Sequence, residues 1–128
     1  MRKIITLILG LYIISPVMGQ DEVLSDVETA LSAGSAKELV KYCLSSVRLQ
    51  INGDNKVYSK PQAEAVLRDF FQKNAAQEFQ YTHRGSSPGG LVYCIGQYKI
   101  SGASFRVYML LKESNDQFLI DTISFNKE

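Results

Sequence analysis

Residues Leu91–Phe125, LVYCIGQYKISGASFRVYMLLKESNDQFLIDTISF, read as three long antiparallel strands joined by two short turns. In the first strand, Leu91 to Ile100, apolar residues fall at odd positions (Leu91, Tyr93, Ile95) and at even ones (Val92, Cys94, Tyr98, Ile100), so both faces are at least partly covered. Gly96 marks a bulge or bend, because a strand loses packing and gains backbone freedom at a glycine. After the Ser101-Gly102 turn, the strand Ala103 to Lys112 sets Phe105, Val107, Met109 and Leu111 on one face. The more polar Ser104, Arg106, Tyr108, Leu110 and Lys112 take the other. Glu113-Ser114-Asn115-Asp116 forms the second turn from residues that tolerate turn geometry. The third strand, Gln117 to Asn126, alternates Leu119, Asp121, Ile123 and Phe125 against Phe118, Ile120, Thr122 and Ser124. Strands of about ten residues are roughly 33 Å long, and a sheet of such strands twists and curls. Helices, a ligand or both must then fill its concave side. The apolar face of the second strand is also a candidate dimer surface.

Upstream, Asp21 to Ala33 reads as a helix, with Val23, Leu24, Val27, Ala30 and Leu31 on one face, acids in the first turn and Gly34 as its stop. Ser35 and Glu38 have the spacing of a capping box, and Ala36, Leu39, Val40, Cys43, Leu44 and Val47 continue as the stripe of a second helix. The period then changes to two over Val47, Leu49 and Ile51. Asn52-Gly53-Asp54-Asn55 is a strong hairpin turn, and Lys56-Val57-Tyr58 returns as a short strand, expected at a sheet edge because the hairpin has few apolar residues. Ser59 and Gln62 form a further capping box, with Pro61 in the first turn, for a helix to about Lys73 that buries Ala63, Val66, Leu67, Phe70 and Phe71. Glu78 to Arg84 alternates as a fourth long strand, and Gly85 to Gly90 reads as a flexible loop.

The start of the chain has another character. Arg2 and Lys3 precede the apolar run Ile4–Ile14, which Pro16 breaks, and Val17-Met18-Gly19 suits cleavage. This is the pattern of a secretory signal peptide over residues 1–19, too short for a spanning helix, the alternative being an uncleaved membrane anchor. It leaves a single domain over residues 20–128, exported to the periplasm or the extracellular space, with no stable membrane anchor after cleavage. Losing Arg2 and Lys3 takes the formal charge from +1 to −1, and near-neutrality argues against nucleic acid as a partner. Cys43 and Cys94 would enter an oxidising compartment. Paired, they would close a loop worth about 4 kcal/mol in the chain-entropy model; unpaired, they act as small buried hydrophobes. Two thiols and one histidine without close spacing are a poor metal set, and no cofactor is implied.

The order helix, helix, short hairpin, helix, four long strands resembles the cone-shaped α+β fold of nuclear transport factor 2 and ketosteroid isomerase, also called cystatin-like. In that fold, helices close the concave side of a strongly curved antiparallel sheet. More narrowly, Tyr58-Ser59-Lys60 with Gln62-Ala63, Asp69-Phe70-Phe71, His83-Arg84-Gly85, and Tyr93 with Ile95-Gly96 and Tyr98 resemble a family of uncharacterised secreted bacterial proteins within that superfamily. The resemblance implies fold and address. It assigns no chemistry, because the same cone hosts enzymes, ligand binders and protein-binding modules.

Candidate site residues follow from the strand patterns. His83, the only histidine, lies in phase with Phe79 and Tyr81 and has the acid–base range of a general base. Its alternative is a hydrogen-bonded structural role at a strand end. Asp121 shares its alternating set with Leu119, Ile123 and Phe125; lining the cone there, its carboxylate would be desolvated as a proton-abstracting base requires. The alternatives are a salt bridge or a bulge that turns it to water. Tyr81, Tyr93, Tyr98 and Tyr108 could offer hydroxyls to a pocket, and Arg84-Gly85 could hold an anion. Without clustered acid, base and nucleophile, the favoured function is a non-catalytic module that binds a small ligand or a protein through the pocket or the open sheet face, with a homodimer as one form. The alternative is a small isomerase- or hydratase-like enzyme using Asp121 or His83 with tyrosine donors.

Overall fold

The computed structural model describes residues 19–128; the leader pattern of residues 1–19 therefore lies almost wholly outside the described residues. Three helices and six strands follow in the order α1 (Gln20–Ala33), α2 (Ala36–Val40), β1 (Cys43–Ile51), β2 (Asp54–Ser59), α3 (Lys60–Lys73), β3 (Glu78–Ser87), β4 (Leu91–Ile100), β5 (Ala103–Ser114) and β6 (Gln117–Lys127). The strands form one curved sheet in the order β2-β1-β6-β5-β4-β3. The β1–β6 pair is parallel and every other pair is antiparallel. As the hairpin's composition implied, β2 is an edge strand.

Local chemistry sets the element ends. Gly34 adopts φ 63°, the left-handed conformation that terminates α1, and its N–H points to the Ala30 and Leu31 carbonyls. Ser59 caps α3 in a complete capping box with Gln62. The Asn115-Asp116 turn has φ of 51° and 62°, the two positive values that a tight hairpin of primed type needs.

The boundaries that differ most from the sequence expectation are at the second helix and at the loop before β4. The second helix has five residues and stops at Val40, so Cys43 and Val47 belong to β1. The spacing of Cys43, Val47 and Leu49 satisfies a helical and a strand period alike. Pairing with β6 decides between them: the Ile120 N–H donates to the Tyr42 carbonyl at 2.7 Å. The Gly85–Gly90 loop is shorter than expected, because Ser86 pairs with Val92 and Ser87 with Leu91, which leaves only a turn after Ser87.

The helices cover one face of the sheet. α1 lies against β3, β4 and β6, α3 lies against β1 and β2, and α2 links α1 to α3. Val23, Leu24, Val27 and Leu31 of α1 meet Phe105, Val107, Met109 and Leu111 of β5, Val92, Cys94 and Tyr98 of β4, and Ile120, Ile123 and Phe125 of β6 in one buried cluster. The apolar face of β5 is thus core, which removes it as a dimer surface. Phe70 sits in the middle, with ring centroids 4.5 Å from Phe125, 5.1 Å from Phe105 and 5.8 Å from Tyr98. Rings at these separations fill the space under the helices and add edge-to-face attraction to their burial.

Candidate functional site

Two β-bulges decide where the titratable side chains go. Tyr81 pairs with Gly96 but His83 pairs with Ile95, so Thr82 is an extra residue in β3. One extra residue reverses the alternation of everything after it. Phe79 is buried and Tyr81 half-buried on the helix side, whereas His83 is exposed on the other face. The structure thus corrects the expected phase of His83 with Phe79 and Tyr81. Gly96 sits opposite this bulge, and a Cβ there would lie 2.6 Å from both the Gln80 carbonyl and the Phe79 ring. The bend foreseen at Gly96 is therefore a close approach of backbone and ring across the pair.

In β6, Ile120 pairs with Leu111 and Thr122 with Leu110, which leaves Asp121 as the extra residue. Ile120 and Ile123 both face the core, three positions apart, and Asp121 turns outward. Its Oδ1 lies 3.4 Å from Lys112 Nζ, and its Oδ2 accepts from Thr122 Oγ1 at 3.0 Å. The expectation that Asp121 lines the cone beside Ile123 and Phe125 is overturned, and a surface ion pair takes the place of a desolvated base. His83 and Asp121 stand on β3 and β6, with β4 and β5 between them.

The tyrosines divide between the two faces. Tyr98 is fully buried and its hydroxyl donates to the Asn74 carbonyl at 2.6 Å, just past the end of α3. Burial pushes its pKa up to about 12. Tyr81 donates to the Leu24 carbonyl at 2.7 Å, tying β3 to α1, and burial raises its pKa still further. Both hydroxyls are spent on main-chain carbonyls. Tyr93 lies on the outer face, its ring centroid 5.9 Å from that of His83, and it covers Gly85, where a Cβ would come within 2.4 Å of the Tyr93 hydroxyl. Arg84 pairs with Asp21 at the start of α1, so its cation is committed to holding that helix.

Cys43 and Cys94 are free thiols, both buried. They stand on β1 and β4, three positions apart in the sheet order, or roughly 14 Å at about 4.8 Å per strand, against a Cα limit of about 7 Å for a disulfide. The disulfide considered from sequence is therefore not formed. Burial raises each thiol to about 12, leaving too little thiolate at neutral pH for nucleophilic or redox work.

The outer face is where partly exposed chemistry collects. Across β4, β5 and β6, Tyr93, Leu110 and Thr122 form one row, Ile95, Tyr108 and Ser124 the next, and Gln97, Arg106 and Asn126 a third. His83 extends the second row onto β3. Tyr108 is 38% exposed, one of two large hydrophobics exposed among the described residues, and Tyr93, Ile95 and Leu110 are half-buried around it. At the end of this patch a groove of about 410 Å³ is lined by Thr82, His83, Ile95, Gly96, Gln97, Arg106 and Glu128. Sequence reading placed Arg106 and Tyr108 on the polar face of β5 but did not find the groove, since Thr82 and His83 reach it only through the bulge.

Comparison with known proteins agrees with this architecture. The chain is similar to a family protein from Bacteroides ovatus (33% identity over 81% of this chain and 94% of that one, TM-score 0.77). A second, from Bacteroides uniformis, is 25% identical over 81% and 95% of the two chains, with TM-score 0.77. An NTF2-like protein of unknown function from Shewanella baltica shares the fold at 12% identity, covering 84% and 90% of the chains with TM-score 0.65. No curated protein matches the chain. The profile described as "Domain of unknown function (DUF4783)" matches residues 24–126, and with that span of the helices and the sheet accounted for, the chain belongs to the DUF4783 family, an α+β domain with the NTF2-like, cystatin-like fold.

Proposed function

We propose that the chain is an exported, non-catalytic binding module that docks through the outer face of its sheet, and that the partner is a second copy of the same chain. The observation that carries this reading is the division between the faces. Phe70, Phe71, Tyr98, Phe105 and Phe125 occupy the space under the helices, whereas Tyr93, Ile95, Tyr108 and Leu110 form an apolar centre on the other side. Around that centre lie His83, Gln97, Arg106, Lys112, Asp121 and Asn126, so an aromatic middle has a polar rim, the usual anatomy of a protein interface.

Size and charge favour a second copy. Four strands about 4.8 Å apart and about ten residues long span roughly 630 Å² in projection, close to the ~800 Å² per partner of a standard interface. The rim carries Arg106 and Lys112 together with Asp121 and Glu128, so a twofold rotation can set unlike charges against each other. The enzyme alternative loses its support from geometry: it needs His83 or Asp121 beside tyrosine hydroxyls in a closed pocket, and both bulges turn these residues outward. Export rests on the leader pattern of residues 1–19.

Light scattering of the purified protein tests the reading, with about twice the monomer mass expected. The Tyr108→Ser/Leu110→Gln double variant should reduce it to a monomer that stays folded by circular dichroism. A wild-type monomer at high concentration defeats the proposal.

A further inference from the structure

From the groove at the rim of the docking patch, which shares His83, Ile95, Gln97 and Arg106 with it, we infer a second binding site, one that takes small molecules carrying a carboxylate. Arg106 lies exposed in this groove and makes no ion pair among the described residues. On the strands that border the groove, Arg84 has Asp21, Lys99 has Glu78 and Lys112 has Asp121. A guanidinium offers a planar fork of N–H donors that fits both oxygens of a carboxylate at once. His83 faces the same space from the neighbouring edge strand and can add a ring N–H. The Ile95 side chain gives an apolar floor between them, and about 410 Å³ is within the range of small-ligand sites.

Glu128 completes the site in an unexpected way. Its Oε1 accepts from Gln97 Nε2 at 3.3 Å and from Ser104 Oγ at 3.4 Å. A carboxylate of the protein's own thus already sits at one end of the groove on neutral donors, while Arg106, across the strand pair from Gln97, stays outside its ion-pair range. The groove is therefore acidic at the Glu128 end and basic between Arg106 and His83. A ligand acid settles at the basic end, with the rest of a small apolar body over Ile95. Glu128 opposes that binding by repulsion, so the site is tuned to be weak and exchangeable.

Benzoate is a suitable probe and benzamide, of the same shape without the charge, its control. Titration of ¹⁵N-labelled protein expressed from the full-length sequence should shift the amides of Thr82, His83, Gln97 and Arg106 with benzoate, at millimolar affinity, and hardly at all with benzamide. Arg106→Gln should weaken benzoate about tenfold, and Glu128→Gln should tighten it about threefold by removing the like charge. Equal shifts with the two probes, or no loss in Arg106→Gln, overturns the inference.

The same carboxylate chemistry could come from a free acid or from an acidic side chain of the docking copy. Repeating the titration on the Tyr108→Ser/Leu110→Gln variant separates these sources. Unchanged affinity assigns the groove to a free acid, and an affinity that rises when the copies part assigns the carboxylate to the partner copy. Because the titration reads the groove and light scattering reads the patch, either proposal can fail while the other stands.

Discussion

Tyr98 and Tyr108 belong to adjacent strands of one sheet but live in different solvents. Tyr98 is closed off by Phe70, Phe71, Phe105 and Phe125, and its hydroxyl is tied to Asn74. Tyr108 stands 38% exposed in a patch of half-buried apolar side chains bordered by charge. The inner face therefore holds the stability of the domain and has little freedom to vary. The outer face buries less apolar surface and so contributes less to folding.

Mutations should separate the two faces most sharply at Phe70. It is 4% exposed and packs on four other rings, and Phe70→Ala should cost about 3–5 kcal/mol in chemical denaturation. An equal cost for Tyr108→Ala would erase the contrast, since exposed substitutions typically stay within about 0.5 kcal/mol.

The glycines give the next largest difference. At Gly96 the added Cβ meets a backbone carbonyl and the Phe79 ring, both fixed; at Gly85 it meets the far end of the Tyr93 side chain, which can swing toward solvent. Gly96→Ala should cost about 1–3 kcal/mol as overpacking, and Gly85→Ala distinctly less, by the same measurement.

The buried thiols supply a pH-dependent probe of the inner face. Their folded pKa values, about 12, lie above the unfolded value. The protonated form is then favoured by folding, and its contribution is complete below the unfolded pKa and lost as pH rises from there toward 12. Stability should fall through the alkaline range, and replacing Cys43 and Cys94 with Ala should flatten that slope. A thiol reagent at neutral pH should find both groups only after unfolding.

The smallest effect belongs to the outer rim. Asp121→Asn removes a partly exposed ion pair with Lys112 and should shift stability by less than about 1 kcal/mol. A larger loss would mean that the β6 bulge is held by this carboxylate rather than by Ile120 and Ile123 beneath it.

Much of the fold is legible because most of its rules are local. The alternation of Phe105, Val107, Met109 and Leu111, the Ser59–Gln62 capping box and the three hairpin turns each need only a few neighbouring residues to be recognised. The candidate site was not legible for the same reason. A strand pattern read with an unbroken period of two assigns His83 to the side of Phe79 and Asp121 to the side of Phe125, and one inserted residue reverses both. The clues were present but weak: two polar residues, Asp121 and Thr122, stand between Ile120 and Ile123, and Gly96 lies across from the β3 insertion. Pairing with a distant strand, which captured Cys43 from the second helix, leaves still less trace in local sequence.

The place of β6 has a consequence for how the molecule comes into being. It is the last of the described strands in chain order, yet it lies between β1 and β5, so the sheet stays split until β6 is added. Strand β1 pairs at once with β2 but meets its other neighbour more than half the chain away, a high-contact-order arrangement that folds in roughly milliseconds to seconds rather than microseconds. Until that strand is in place the sheet is two pieces, β2-β1 and β5-β4-β3, and the core beneath the helices is incomplete.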